Sequence, residues 1–181
     1  MCLVNQKIDT SVIQSKQVIE MITVANEFCL FVEDIEKFEF SYVCEYLQRV
    51  LPLLYIKGSL IPLTEPNQET DNERYVIEES WEYIFNTVKN IFGQHNLYYF
   101  WNPGITEAES TTVAENMADM YQDLKDFVFL FSKPSHYAKV NAVYMCRTLF
   151  VNSWGKKTLT LMNHLHYVHY DKNQNTEDDD E

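Results

Sequence analysis

The chain is poor in the residues that make turns. It holds four glycines and five prolines in 181 residues, below the average usage of about 7% and 5%. Long helices are therefore favoured over many tight turns. Cysteine is equally sparse. Positions 2, 29, 44 and 146 are scattered without a CxxC pair, which removes a disulfide framework and a zinc spacing. Cys29 and Cys44 lie among apolar residues and read as small hydrophobes. No charged-then-apolar leader opens the sequence. No apolar run approaches the roughly 18 residues of a membrane helix, and Lys57 interrupts the best candidate. Basic charge is also lacking, with Lys+Arg 14 against Asp+Glu 27 and a net charge of −13. Such a surface repels phosphate backbones and anionic lipids, so neither nucleic acid nor membrane is expected as a partner. The expected compartment is the cytoplasm.

What is present is apolar and aromatic. Hydrophobic residues make up 46% of the chain, and twelve tyrosines and eleven phenylalanines make much of the core volume ring. Residues 21–32 and 117–131 are greasy almost all round a helix, which suits the middle of a bundle. Helical spacing marks five segments. The first runs over 11–36 with Ser11 as its cap. The second covers 40–60 and contains Pro52, which cannot donate to the Gln48 carbonyl and predicts a kink. A polar loop follows over 64–74. The third spans 78–92, with Glu78 and Glu79 at its positive end and Gly93 at its carboxyl end. Residues 96–104 read as an irregular aromatic connector wedged against the bundle. The fourth helix covers 110–132. Pro134 starts the last, which reaches about residue 170 and bends near Trp154-Gly155. The final eleven residues hold six acids and one lysine, a disordered acidic tail. The expected fold is all-α: a single-domain bundle of about five helices over residues 1–170, with kinks near Pro52 and Gly155 and a tail over 171–181.

Glu115, Asp119, Asp123 and Asp126 form an acidic stripe on the fourth helix. Carboxylates at this spacing share one face and suit a hard cation, so Asp119, Asp123 and Asp126 are metal candidates. The plainer explanation is a solvated or salt-bridged face with Lys125 beside it. Asn26 and Glu33 lie within the apolar stripe of the first helix. A buried asparagine there must satisfy its amide, either by tethering two helices or by touching a ligand. His166 and His169 share a face, with His164 nearby, but no Glu-x-x-His accompanies them. A helix-end role fits better than a metal site. Glu79-x-x-Glu82 and Asp123-x-x-Asp126 imitate the magnesium motif of helical pyrophosphohydrolases, but they lie far apart and the first sits at a helix start. Nothing resembles a P-loop, a GxSxG elbow or a catalytic Cys/His signature. The aromatic run at 98–101 is either a core plug or a partner-binding patch.

Four segments together carry a resemblance. They are Thr23-Val-Ala-Asn-Glu-Phe28, Leu51-Pro-Leu-Leu-Tyr-Ile-Lys57, Ala118-Asp-Met-Tyr-Gln-Asp-Leu-Lys-Asp-Phe127, and Trp154-Gly155 followed by Leu165-His166. Over most of its length the chain resembles the uncharacterised bacterial DUF5063 family. That resemblance implies a compact helical fold and supplies no established activity, substrate or catalytic residue. Its signatures fall on Asn26, Glu27, Tyr121, Asp123 and Asp126, which become the ligand-binding candidates. Where the family pattern often has alanine, Gly58 stands here, and a looser helix end is expected. The leading expectation is a non-catalytic interaction or adaptor module without a cofactor, its partner another protein or a second copy. The alternative is a metal- or small-ligand-binding bundle, or a hydrolase, using the acidic stripe.

Overall fold

The computed structural model describes residues 10–66 and 74–174. Among them are seven helices and one two-stranded sheet, rather than about five helices. In chain order these are α1 (Thr10–Ile13), α2 (Lys16–Glu33), α3 (Phe40–Ser59), α4 (Glu78–Phe92), β1 (Leu97–Phe100), β2 (Glu109–Thr112), α5 (Val113–Ser132), α6 (His136–Asn152) and α7 (Trp154–Gln174). Residues 1–9, most of the expected polar loop (67–73) and the expected tail from 175 onward lie outside the described residues.

The extra helices have local causes. Ser15, not Ser11, caps the first long helix, its side chain accepting from the Val18 N–H. That leaves α1 as a separate turn. The last expected helix is two, because Ser153 leaves helical geometry with φ −131 and ψ −94. The bend placed near Gly155 is this break. Helix α3 runs through Pro52 as one element. Gly93 ends α4 with φ 47, in the region that favours glycine. Helix α7 reaches Gln174, beyond the expected end at 170.

The connector is a strand. β1 pairs antiparallel with β2, from Leu97 opposite Thr112 to Phe100 opposite Glu109. Both faces of β1 are aromatic or aliphatic, so the two-residue alternation of a half-buried strand is invisible in its sequence. Its mate Glu-Ser-Thr-Thr has no apolar residue at all. Helix α5 therefore begins at Val113 rather than 110.

Helix α5 is the centre of the arrangement, packing against α2, α4, α6 and α7, while α3 rests on α2 and α7. The greasy segments 21–32 and 117–131 supply Met21, Phe28, Met117, Met120 and Leu124, all fully buried. Trp154 is fully buried too, and its indole N–H donates to the Cys146 carbonyl at 3.3 Å. Cys29, Cys44 and Cys146 are buried. No described helix is long and apolar enough to cross a membrane.

Gly58 does not loosen α3. It is buried, and a β-carbon there would collide with the Trp154 and Phe150 rings. At Gly155 a β-carbon would strike the Phe150 carbonyl and ring. The two glycines thus let α3, the end of α6 and the start of α7 meet around Phe150. Gly155→Ala should cost roughly 1–3 kcal/mol, since backbone must shift to admit the methyl. The check is a lowered urea midpoint at unchanged slope.

Candidate functional site

Helix α5 starts under double restraint. The Thr112 hydroxyl accepts from the Glu115 N–H at 3.0 Å. Asn96, just before β1, takes the Val113 N–H on its carbonyl at 2.8 Å and the Ala114 N–H on its side chain at 2.9 Å. Three amides that the helix itself cannot satisfy are thereby paired. This pins the hairpin to the amino end of α5 and sets the rotation of the acidic stripe.

The stripe is not one centre. Asp119 accepts from the Trp81 indole N–H of α4 at 2.8 Å and forms an ion pair with Lys157 of α7. Asp123 is buried and accepts from the Ser153 hydroxyl at 2.8 Å. Asp126 accepts the backbone N–H groups of Tyr75 and Val76, both at 2.9 Å, on one oxygen. Glu115 is exposed at the cap. Each aspartate is thus held by donors from a different segment, and among the described residues no group of three His, Cys, Asp or Glu is placed to share a metal ion. The space between Asp123, Asp126, Arg74 and the apolar wall of α6 amounts to about 20 Å³, room for one water.

The other candidates lie apart from these. Tyr121 donates to Glu33 at 2.8 Å, and Lys125 pairs with the same carboxylate oxygen at 2.6 Å. Burial, then that hydrogen bond, pushes the Tyr121 phenol up, so it stays protonated. Glu33, Glu79, Ser80, Tyr83, Ile84 and Tyr121 line an open groove of about 370 Å³ between α2, α4 and α5. Glu27 is exposed on α2. Asn26 is half-buried, and its amide has no hydrogen bond among the described residues, so it does not tether α2 to a neighbour within the chain. The histidines separate as well. His164 stacks on Tyr98 at 4.5 Å, and its Nε2 lies 2.8 Å from the His95 carbonyl. His166 and His169 contact Tyr170 instead. With α7 reaching Gln174, none of the three lies in the last turn.

The aromatic run is both plug and patch. Tyr98 is buried; its hydroxyl meets Thr160 at 3.2 Å and takes a hydrogen bond from Asn116. Phe100 is half-buried on the same side. Leu97, Tyr99 and Trp101 point the other way and are 54%, 67% and 67% exposed. The polar residues that hold this clamp, Asn96, Asn116 and Thr160, carry no periodic signal. Only the alternation in a strand assignment would have singled them out.

The family described as "Domain of unknown function (DUF5063)" matches residues 12–171. The chain belongs to the DUF5063 family. It is similar to the crystal structure of protein BF1032 from Bacteroides fragilis at 34% identity and a TM-score of 0.80, over 88% of this chain and 96% of that one. No curated protein matches it. In this DUF5063 protein the family signature Ala118-Asp-Met-Tyr-Gln-Asp-Leu-Lys-Asp-Phe127 is the stretch of α5 whose acids and phenol hold neighbouring segments in place.

Two tests follow from these contacts. Asp126→Ala removes the acceptor of two backbone amides and should cost about 1.5–3 kcal/mol, with Asp126→Asn milder because one carbonyl oxygen remains. Chemical denaturation reads the order. For Asp123, burial raises the carboxyl pKa, opposed by the Ser153 hydrogen bond and by Arg74 and Lys157. A folded pKa above the unfolded one means that the native state holds the proton more tightly. Its contribution is present at acid pH and is lost as pH rises through the folded pKa. Asp123→Asn, which keeps an acceptor for Ser153, should match the parent at acid pH and exceed it at pH 7. Denaturation at several pH values reads the crossing, and equal stabilities throughout would refute it.

Proposed function

We propose that the protein is a non-catalytic docking module that receives an extended, basic segment of a partner protein on the outer face and free edge of the β1–β2 hairpin. The carrying observation is the pair of rings on that face. Tyr99 and Trp101 are each 67% exposed, and the residues opposite Leu97 and Tyr99 are only Thr112 and Ser110. Exposed aromatics of this density mark interfaces, where Trp and Tyr dominate binding energy. Among the described residues β1 pairs with β2 alone, so its other edge is available to a further strand. The clamp on Tyr98 holds the platform rigid before any partner arrives, which lowers the entropic cost of docking.

Charge selects the partner. No lysine or arginine occurs between Lys89 and Lys125, while Glu107, Glu109 and Glu115 lie on the hairpin or just after it. A basic segment would be steered there and an acidic one repelled. The acidic stripe gives the hydrolase alternative no comparable support, because its aspartates already serve as acceptors inside the fold. The test is selection from displayed ten-residue peptides. Basic, β-branched sequences should be enriched, and the double variant Tyr99→Ala, Trp101→Ala should bind them at least about 30-fold more weakly. Its stability should stay within roughly 0.5 kcal/mol of the parent. Equal enrichment by parent and double variant would refute the reading.

A second reading rests on the groove between α2, α4 and α5. Its volume of about 370 Å³ falls in the range of small-molecule sites. Two carboxylates and two phenols on its walls suit a small organic cation. Titration calorimetry with spermidine, on the parent and on Glu79→Gln, tests it; no heat in the parent would end it.

A further inference from the structure

We infer that the outward face of the α2–α3 pair binds the same face of a second copy of this chain, forming a two-fold dimer on a surface separate from the hairpin. On α2 the outward residues are Ile19, Thr23, Asn26 and Leu30, spaced as one helical stripe. On α3 they are Tyr42, Arg49, Leu53 and Ile56, with Leu60 at the cap. Six large hydrophobics in this set, Ile19, Leu30, Tyr42, Leu53, Ile56 and Leu60, are 40–54% exposed. Scattered exposed leucines need no explanation, but contiguous ones on two adjacent helices do. The two helices are joined at this surface: the Tyr46 hydroxyl reaches the Glu27 carbonyl at 3.5 Å, and Lys57 reaches Glu20 at 3.0 Å. They present one continuous face.

Three arguments choose a second copy as the occupant. The first is charge. The charged residues on or bordering the face, its aromatic end included, are Lys16, Lys37, Arg49 and Lys57 against Glu20, Glu27, Asp34, Glu36, Glu39 and Glu45. They leave a charge of −2, small in a chain of net charge −13. Most already pair locally, as Lys16–Glu20, Lys57–Glu20 and Arg49–Glu45. Two acidic molecules repel each other over most of their surfaces, and a nearly neutral face is where they can meet. The second is size. From Tyr42 to Leu60 the face is about 27 Å long, and two helices side by side are about 20 Å wide. The projected area is about 540 Å², and the accessible surface of ridged helices exceeds its projection, which brings it toward the roughly 800 Å² per partner of a standard interface.

The third argument is self-complementarity. A two-fold contact sets residue i against j and j against i. One end of the face is aromatic, with Phe31 stacked on Phe38 at 5.2 Å and on Tyr46 at 3.7 Å, and Tyr42 beside Phe38. The other end is aliphatic, with Leu53, Ile56, Leu60 and Ile19. An antiparallel two-fold lays rings on aliphatic side chains at both ends. It brings the middle of each α2 together, where the unpaired amide of Asn26 would meet its own copy, as a polar pair that fixes register in an otherwise apolar seam.

Sedimentation equilibrium of the full chain tests this. The parent should show twice the 21.5 kDa chain mass at micromolar concentration. Ile56→Glu and Leu30→Glu, from opposite ends of the face, should each weaken self-association at least about tenfold. Both positions are exposed in the single chain, so the helical dichroism of the variants should be retained. Trp101→Ala should leave the mass unchanged. A parent that stays monomeric, a dimer indifferent to both glutamates, or one broken by Trp101→Ala would each overturn the inference.

Discussion

A carboxylate on a buried helix must find donors, and this requirement organises the molecule. Helix α5 packs against four other helices; of its aspartates Asp123 is buried and Asp119 and Asp126 are half-buried. An unpaired charge in such a place costs several kcal/mol. The neighbours other than α2, which brings the acceptor Glu33, therefore supply donors. The segment before α4 gives two backbone amides to Asp126, α4 gives the Trp81 indole to Asp119, the α6–α7 joint gives Ser153 to Asp123, and α7 gives Lys157 to Asp119. These contacts are directional, so they fix where each element sits along α5. The apolar contacts beneath them fix only that the elements touch.

The same requirement explains what could be read in the sequence. Helical periodicity is a property of one segment, so α2, α3, α4 and most of α5 were legible, together with Glu78, Glu79 and Gly93 at the ends of α4. The acidic stripe was legible as a stripe. Its meaning was not, because the donors Val76, Trp81, Ser153 and Lys157 come from other parts of the chain and have no spacing relative to it. The hairpin was hidden for a different reason. A strand declares itself by contrast between its faces, and Leu-Tyr-Tyr-Phe-Trp has none. The split between α6 and α7 was legible only as a weakness near Gly155, since the break depends on Ser153 meeting Asp123.

Holding the hairpin takes both α5 and α7. Tyr98 bonds Asn116 of α5 and Thr160 of α7 and stacks on His164, while Asn96 caps α5. A two-stranded hairpin by itself is marginal in water. Fixed in this way, it becomes a rigid ledge whose inner residues are consumed by the fold and whose outer residues are left free. Tyr98 and Tyr99 are adjacent and chemically identical, yet one is structural and the other is available to a partner. Strand geometry alone makes that division.

The family signatures divide along the same line. Those on α5 and around Trp154 are satisfied inside the chain: every polar atom that matters there has its donor or acceptor. The signature on α2 is not. Asn26 is half-buried without a hydrogen bond among the described residues, and Glu27 is exposed beside it. Both are reached by water rather than held by the fold. The stripe on α2 and its continuation on α3 carry little net charge, aromatic rings at one end and aliphatic side chains at the other. On the inference drawn above, a copy of the same surface, turned over, would bring a second amide to Asn26 and set the matching ends together. The aspartates of α5 are each held by donors of the fold, whereas the outer helix pair and the hairpin carry exposed apolar side chains, and for that reason the proposed binding surfaces are placed there.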